Sequence, residues 1–291
     1  HVTILRSGKS VEFLKTTETT EKELAALMVG YEIDMTLERK KVEKGETILS
    51  LQNVRLLPQA EKTVDLEIRA GEILGIAGVE GNGQQQLEEM IMGLEKVKCG
   101  KIFFKQEEIT GMSVKERCKR GIGYIPSDRY KRAILPGFSL KDNYLLGNQY
   151  KDSYARKGML NQEYIEKKTK ELMEKFDVRA VNGDQLIGAL SGGNQQKLVL
   201  SREVDKDPDL ILACQPVRGL DIGAIKFIHN VLLELRNQGK AVLLISAELS
   251  DLFQLSDRIG VLYKGEMMSL QETEKYTTES ISLLMAGKKG V

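Results

Sequence analysis

The chain has 291 residues, and its 43 lysines and arginines nearly balance 42 aspartates and glutamates, for a formal net charge of +1. This balance argues against a nucleic-acid-binding surface, and the absence of tryptophan with only 5% aromatic residues argues against a base-stacking platform. The longest apolar runs, such as Ala241–Ile245, have the length of a strand and cannot span a bilayer. Three scattered cysteines without metal-ligand spacing, and no signal peptide, predict a cytosolic α/β protein with no metal site of its own.

Residues 2–30 resemble residues 259–287 without a gap. Identical residues occupy equivalent places at Leu5 and Leu262, Gly8 and Gly265, Thr16 and Thr273, Thr20 and Thr277, Leu27 and Leu284, Met28 and Met285, and Gly30 and Gly287. Both copies predict a strand, a glycine turn, a second strand and a short helix that begins near Thr20 or Thr277. The alternative is chance recurrence of a common pattern. We interpret residues 1–33 as the C-terminal tail of a preceding homologous domain, which predicts two such domains in tandem on the full polypeptide.

Residues 34–47 are rich in Lys and Glu and contain Gly45. This composition predicts a linker between the two domains. A solvated helix is the alternative, although the segment has no apolar stripe.

The pattern of strands and helices in residues 48–288 predicts one domain. Three strands lead to a glycine loop, and the third, Glu72–Ala77, is followed by a helix over Gln84–Met92. Charged residues with helical periodicity from about 113 to 202 predict an inserted helical subdomain. Strands and helices alternate again from Asp209 to Tyr263, so the fold class is α/β with a mostly parallel sheet.

The loop between that third strand and its helix has the spacing of a phosphate loop. Its residues are Gly78, Val79, Glu80, Gly81, Asn82, Gly83, Gln84 and Gln85. Backbone N–H groups at a helix start can hold an anion, but Gln84 and Gln85 stand where a phosphate loop needs Lys and Ser or Thr. Binding of the γ-phosphate and of Mg²⁺ is therefore expected to be weak. Taken alone, Gly78 and Gly83 could also form an ordinary strand-to-helix turn.

Three further positions of a hydrolytic site are altered. A strand ending at Cys214 should provide an Asp for Mg²⁺ and then a carboxylate for the attacking water, but Cys214 and Gln215 stand there. After the next strand a histidine is expected, and Ala247 is present. No catalytic residue is therefore intact at these degenerate positions.

A third motif is complete. It comprises Leu190, Ser191, Gly192, Gly193, Asn194, Gln195, Gln196 and Lys197. The Ser hydroxyl and the N–H groups of the following helix start predict an anion site that serves a phosphate offered by another domain. An ordinary N-capped helix is the alternative, but a Gly-Leu-Asp turn ending at Asp221 favours the motif.

With these motifs the chain resembles the ATP-binding subunits of ABC transporters. Residues 190–197 resemble the family's signature motif in the form typical of simple-sugar and nucleoside importers, whose subunits carry two nucleotide-binding domains. The sequences of residues 81–84, 213–216 and 218–225 are similar to the corresponding segments in the second domain of nucleoside importers. Departures are Ser127 in place of Glu, Gln85 in place of a small hydroxyl residue, and Leu56–Leu57 without an adenine-stacking aromatic.

The resemblance implies a P-loop NTPase-type ABC nucleotide-binding domain with an antiparallel β subdomain and an inserted helical subdomain. It implies a D-loop of Arg218, Gly219, Leu220 and Asp221. It also implies a coupling segment that passes the ATP state to the membrane subunit, formed by Tyr124, Ile125, Pro126, Ser127, Asp128 and Arg129.

The resemblance further implies head-to-tail closure of two domains. Residues 190–197 would complete the first domain's hydrolytic site, which binds ATP and Mg²⁺, while residues 78–85 would form a degenerate site. Implied partners are the first domain, the transmembrane permease and, indirectly, an extracellular solute-binding protein, at the cytoplasmic face of the plasma membrane and without nucleic acid. Alternatives are a soluble tandem ATPase that acts on ribosomes or DNA and a scaffold that binds no nucleotide. The sequence does not name the cargo.

Overall fold

Parallel strands surrounded by helices form the centre of the computed structural model, which describes residues 1–6, 8–29, 37 and 39–288. The strands are β1 (Val2–Arg6), β2 (Lys9–Leu14), β3 (Thr47–Val54), β4 (Val64–Arg69), β5 (Ile73–Ala77), β6 (Lys101–Phe104), β7 (Glu107–Glu108), β8 (Ile122–Ile125), β9 (Ala155–Arg156), β10 (Met159–Leu160), β11 (Leu210–Cys214), β12 (Ala241–Ile245), β13 (Arg258–Tyr263) and β14 (Glu266–Glu272). The helices are α1 (Glu21–Val29), α2 (Gln84–Met92), α3 (Val114–Lys119), α4 (Arg129–Arg132), α5 (Leu140–Leu145), α6 (Gln162–Lys175), α7 (Gly192–Val204), α8 (Ile222–Asn237), α9 (Leu249–Leu255) and α10 (Thr278–Met285).

The central sheet has six strands in the order β14-β13-β5-β12-β11-β8. All neighbours are parallel except β13 and β14. Every residue of β5, β11 and β12 is buried, as expected of parallel strands that are covered on both faces. The predicted α/β class with a mostly parallel core sheet is confirmed.

Alternate residues of these strands supply two separate hydrophobic cores. Ile211 and Ala213 of β11 pack in one core with helices α7 and α8, whereas Leu212 and Cys214 pack in the other with helix α2. This alternation follows from the two-residue period of a strand. A four-stranded antiparallel sheet, β4-β3-β6-β7, covers the second core and is the predicted antiparallel subdomain.

The predicted helical insertion starts later in the structure than its predicted boundary at residue 113. Strand β8 lies inside the range 113–202, yet it pairs in parallel with β11 at the edge of the central sheet, and α3 packs on it. Its four residues are too few to show a strand period among charged neighbours. From α4 onward the helices α5, α6 and α7 pack on one another.

The two copies of the repeated sequence have the same backbone geometry. Strands β1 and β2 pair antiparallel with an irregularity between Ile4 and Leu5, and β13 and β14 pair with one at the equivalent step. Gly8 and Gly265 have positive φ angles of 76° and 84°, and a Thr residue caps the helix that follows each hairpin. Gly30, the last residue of the repeat, lies outside the described residues.

The copies differ in what covers them. Leu262 of β13 is fully buried, but its equivalent Leu5 is 67% exposed, and Phe13 on β2 is 65% exposed. In the described residues β1 pairs with β2 alone, whereas β13 also pairs with β5. The first hairpin therefore presents an apolar face where the second one has the central sheet.

The polar segment before β3 contacts the main domain, and Asp257 is its main anchor. The Asp257 carboxylate accepts hydrogen bonds from Arg236 at 2.7 and 2.9 Å, from Arg39 at 2.8 Å and from the Ile73 N–H at 2.9 Å. Residues 34–36 and 38 of the predicted linker lie outside the described residues. Residues 39 and 40 are thus tied to helix α8 and to the start of β5.

We expect Asp257→Asn to lower the free energy of unfolding by about 3 kcal/mol at pH 7, because it leaves buried Arg236 without its ion pair. Burial alone would raise the pKa of Asp257, but hydrogen bonds from Arg236 and Ile73, with the charges of Arg236 and Arg39, hold this pKa below its usual value. The folded pKa lies below the unfolded one, so the stabilisation is present above about pH 4 and is lost as pH falls through the folded pKa.

Urea unfolding between pH 3 and pH 7 checks this prediction. Asp207→Asn, which removes the exposed partner of Lys240, is the control and should change stability little at any pH. An Asp257→Asn protein whose acid sensitivity matches the wild type would contradict the assigned role.

Among the helices of the described residues, none combines the length and the apolar character that crossing a bilayer requires.

Candidate functional site

A cleft of about 570 Å³ opens at the carboxyl ends of β5, β8, β11 and β12, and we call it the loop pocket. Ligand sites of parallel sheets lie at this edge, because the loops that leave neighbouring strands meet there. The residues lining it are Leu57, Gly78, Glu80, Gly81, Gln84, Gln85, Gln86, Glu88, Ser127, Asp128, Lys131, Arg132, Cys214, Gln215, Arg218, Ile245, Ala247 and Glu248. All five degenerate positions of the sequence analysis therefore lie in one pocket.

The glycine loop has the backbone conformation of an anion-binding loop without the usual charge. Gly81 and Gly83 have φ angles of 90° and 107°, which let the chain turn sharply into α2. The Gln84 side chain folds back over Gly78, and its amide nitrogen donates to the Val79 carbonyl at 3.0 Å. Its amide oxygen is buried and has no hydrogen-bond partner among the described residues. The loop thus offers N–H groups but no cation to a phosphate.

The ends of β11 and β12 lack the groups that hydrolysis needs. Cys214 is fully buried, and the pKa of its thiol is raised well above the usual value by burial and by the nearby Glu88 carboxylate. Gln215 has a positive φ of 49°, and its amide oxygen accepts from the Ala247 N–H at 3.3 Å. A neutral thiol and an amide neither bind Mg²⁺ well nor remove a proton from water. These residues therefore do not fit a catalytic magnesium ion.

The sequence analysis missed a buried carboxylate, Glu88, that lines the same pocket. It lies one helical turn after Gln84, so the i, i+4 spacing places both on one face of α2. One of its oxygens, Oε1, accepts from the Tyr124 hydroxyl and from the Ser127 N–H at 3.3 Å, and Arg132 lies 3.9 Å away. Glutamate is almost never fully buried unless it is paired, so this arrangement is specific.

The charges of the loop pocket do not favour a triphosphate. Its lining contains four acids, Glu80, Glu88, Asp128 and Glu248, against three bases, Lys131, Arg132 and Arg218. Arg132 is bound to Glu89 and Tyr124 as well as lying near Glu88, and these partners raise its pKa although burial opposes them. No group of three or more His, Cys, Asp or Glu side chains in the described residues is placed to hold a metal ion.

The complete motif lies at a second cleft, of about 430 Å³, which we call the signature cleft. Its lining residues are Asp177, Arg179, Ser191, Gly193, Asn194, Lys197, Asp221, Gly223, Ala224, Lys226, Phe227 and Asn230. Helix α7 begins at Gly192, and the Ser191 hydroxyl caps it by accepting from the Asn194 N–H at 3.4 Å. The 13-residue helix directs its free N–H groups and the positive end of its dipole toward this cleft.

Two residues of the motif's second half, Gln195 and Lys197, are engaged with other parts of the chain. Gln195 is buried, and its amide donates to the carbonyls of Ile187 and Leu190 at 3.2 Å. The Lys197 ammonium lies 2.7 Å from the Asp177 carboxylate and over the Phe227 ring. Gln195 and Lys197 thus position the helix, whereas Ser191 and Gly193 line the cleft at the start of α7.

Close packing explains the glycine at position 193. A Cβ atom there would lie 3.0 Å from the Ala224 side chain and 3.1 Å from the Asp221 carboxylate. Asp221 caps helix α8 by accepting from the Ala224 N–H at 2.9 Å, and Gly219 has a positive φ of 72°. The predicted D-loop residues 218–221 thus hold the starts of α7 and α8 together.

The predicted coupling segment runs between the two clefts. Tyr124 and Ser127 bond Glu88 on the loop-pocket side, and Asp128 caps α4 by accepting from the Lys131 N–H at 3.0 Å. On the other side, Arg129 donates to the Gln195 amide oxygen at 3.3 Å. The loop pocket and the signature cleft share no lining residue and are therefore two separate sites on this chain.

A protein-family model described as ABC transporter matches residues 61–218. The chain is 40% identical over 290 residues to the guanosine import ATP-binding protein NupO of Bacillus subtilis (strain 168), covering 98% of this chain and 57% of that protein. The nucleoside import ATP-binding protein NupA of Lactococcus lactis is 36% identical over the same shares. The ribose import ATP-binding protein RbsA of Clostridium tetani is 34% identical, over 96% of this chain and 55% of that protein.

Solved structures show the same fold. An ATP-binding cassette of an ABC transporter in its ADP conformation has a TM-score of 0.64 at 21% identity, covering 83% of this chain and 95% of its own. A dimeric cassette in a post-hydrolysis state with ADP and Pi has a TM-score of 0.66 at 23% identity, covering 79% of this chain and all of its own. The predicted ABC cassette fold with an inserted helical subdomain is thereby confirmed.

Proposed function

The chain belongs to the ABC transporter family of ATP-binding domains, and on that premise we propose that it is the second nucleotide-binding domain of an importer ATPase. In this proposal its signature cleft completes the hydrolytic site of a first domain. Its own loop pocket is degenerate and does not cleave ATP. Binding of ATP between the two domains then drives the closure that moves the membrane subunits.

One observation carries this proposal: the signature cleft keeps its anion-binding groups, and the loop pocket of the same chain has lost its catalytic ones. Ser191 and the start of α7 are in place, whereas Cys214 and Gln215 occupy the positions of the metal ligand and the base. A domain that had lost all function would not need to keep both Ser191 and the tight Gly193 contact. The asymmetry favours a division of work between two domains.

The first hairpin supports the tandem arrangement. Its counterpart β13 pairs with β5 from Arg258 with Leu74 to Val261 with Ala77, and the following turn donates to Asn82 in the loop from Lys264 and Gly265, at 2.9 Å each. By the same geometry, β1 would pair with the strand before the first domain's phosphate loop, and the turn at Gly8 would contact that loop. In this arrangement other parts of the first domain would pack on the face that carries exposed Leu5 and Phe13.

The length of the relatives supports the same arrangement. The chain spans 57% of NupO and of NupA, although 98% of the chain is matched. In the proposal, residues 1–33 end the first domain, residues 34–47 link the two, and residues 48–288 form the second.

The proposed cargo is a nucleoside or a simple sugar, because the relatives that match over nearly the whole chain are import proteins for guanosine, nucleosides and ribose. The proposed partners are a transmembrane permease and, through it, an extracellular solute-binding protein. The domain would then work at the cytoplasmic face of the plasma membrane, held there by the permease.

Affinity purification of the full-length tagged protein from its own cells tests the proposal. We expect a polytopic membrane protein to copurify in detergent at about equal molar amount, and cells that lack the protein should lose uptake of labelled nucleosides or sugars. Copurification with ribosomes or DNA instead, with uptake unchanged, would favour a soluble tandem ATPase and contradict the proposal.

A further inference from the structure

Glu88 is a buried carboxylate of the loop pocket to which the proposed function gives no task. We propose that Glu88 is a positioning residue, a buried hydrogen-bond acceptor that holds the coupling segment and the adjoining helix α4, residues 124–132 together, in place whether or not a nucleotide occupies the pocket. Its chemical role is that of a hydrogen-bond acceptor for donors of the coupling segment. The inference goes beyond the proposed function and does not depend on hydrolysis by either domain.

The Glu88 carboxylate is surrounded by hydrogen-bond donors. Only 2% of Glu88 is exposed, and a buried carboxylate is tolerated only where donors surround it. Two donors belong to the coupling segment, the Tyr124 hydroxyl and the Ser127 N–H, and both bond Oε1; Arg132 of α4 lies 3.9 Å away. Glu88 therefore joins helix α2 to the coupling segment, and a separate ion pair between Glu89 and Arg132 joins α2 to α4.

The glycine loop brings no positive charge to the pocket. Gln84 brings no charge and is folded onto Val79, and the Cys214 thiol, whose pKa is raised by burial and by the nearby Glu88 carboxylate, brings none either. The charge at the floor of the pocket is thus negative and supplied by the protein. A phosphate placed beside Glu88 would be repelled, so the carboxylate and the nucleotide compete for the same region.

The other end of the coupling segment, at Arg129, contacts helix α7. Arg129 donates to Gln195, and a Cβ atom on Gly192 would lie 2.8 Å from its guanidinium. Gln195 is the buried residue that fixes the start of α7 through Ile187 and Leu190. Holding the segment at Glu88 therefore also holds the anion site of the signature cleft.

Amide hydrogen exchange of the chain, with and without Mg²⁺ and ATP, tests this inference. In the wild type we expect the amides of residues 124–132 to be protected equally in both conditions. In Glu88→Ala they should exchange about tenfold faster, because hydrogen bonds to a charged acceptor are lost. Glu107→Gln, which removes an exposed carboxylate from Arg120, is the control and should leave the segment unchanged.

A second variant separates the inference from a general loss of stability. Glu88→Gln keeps the shape and removes the charge, so we expect it to bind a fluorescent ATP analogue about tenfold more tightly than the wild type or Glu107→Gln. A residue with only a structural role would weaken binding when it is changed. Unaltered affinity in Glu88→Gln, or wild-type protection that appears only with ATP, would overturn the inference.

Both measurements use this chain alone, and neither depends on ATP hydrolysis. Their failure would leave the proposed division of work between the two domains untouched, and hydrolysis by this chain would leave the role of Glu88 untouched.

Discussion

The purified chain is expected to hydrolyse ATP no faster than a matched blank, and Gln84→Lys alone should not restore turnover. A lysine at position 84 would supply the cation that the loop lacks, but Cys214 and Gln215 would still provide no metal ligand and no base. A missing general base alone reduces the rate by about 10² to 10⁴-fold. Phosphate release from the wild type and from Gln84→Lys, measured with excess Mg²⁺, checks this.

Changing one other altered residue of the loop pocket should also fail to restore ATP turnover, for a second reason. Cys214→Asp would place a carboxylate beside buried Glu88, and two carboxylates in contact cannot both ionise without a large cost. We therefore expect no turnover from Cys214→Asp either. Sustained hydrolysis by the wild-type chain, abolished by changes in residues 78–85, would contradict the description of the loop pocket as non-hydrolytic.

In the full-length protein, Gly192→Asp should reduce ATP turnover about 100-fold or more. Residue 192 is the first of helix α7, where an acidic side chain stabilises the helix dipole but repels a phosphate from the same N–H groups. Loss of one positioned donor to developing charge costs about 10² to 10³-fold in rate. Steady-state hydrolysis by the full-length variant is the measurement.

Gly137→Asp is the matched control for that substitution. Gly137 has no atom within 4 Å of an added Cβ and lies away from both clefts, so the same chemical change should leave turnover intact. Thermal unfolding should show both variants folded. Equal turnover in Gly192→Asp and Gly137→Asp would mean that the start of α7 does not serve a nucleotide.

The sequence predicts the sheet and its loop well because buried strands carry a strong signal. Helix α2 begins and ends at the predicted residues, since an all-apolar strand ends in a glycine loop at one side and Gly93 terminates the helix at the other. The repeat likewise predicts the hairpin at residues 2–14, because Gly8 and Gly265 fix the same turn. These are local features that need no knowledge of distant contacts.

The site is predicted less completely because its charges are set by tertiary contacts. A glutamate is expected at the surface of a helix, yet Glu88 is buried and is bonded by Tyr124 and Ser127, which lie more than 30 residues away in the chain. Lys197, in the complete motif, has the charge of a phosphate ligand, yet Asp177 from 20 residues earlier binds it. Neither pairing can be read from residue spacing.

One comparison in the full-length protein tests the central claim most directly: steady-state ATP turnover of Gly192→Asp beside that of Gln215→Ala. We predict a loss of about 100-fold or more for the first, because it would block the anion site that we propose this chain lends to another domain, and a change of less than about twofold for the second. Near-normal turnover in Gly192→Asp together with a large loss in Gln215→Ala would show that the chain cleaves ATP in its own loop pocket and would contradict the account.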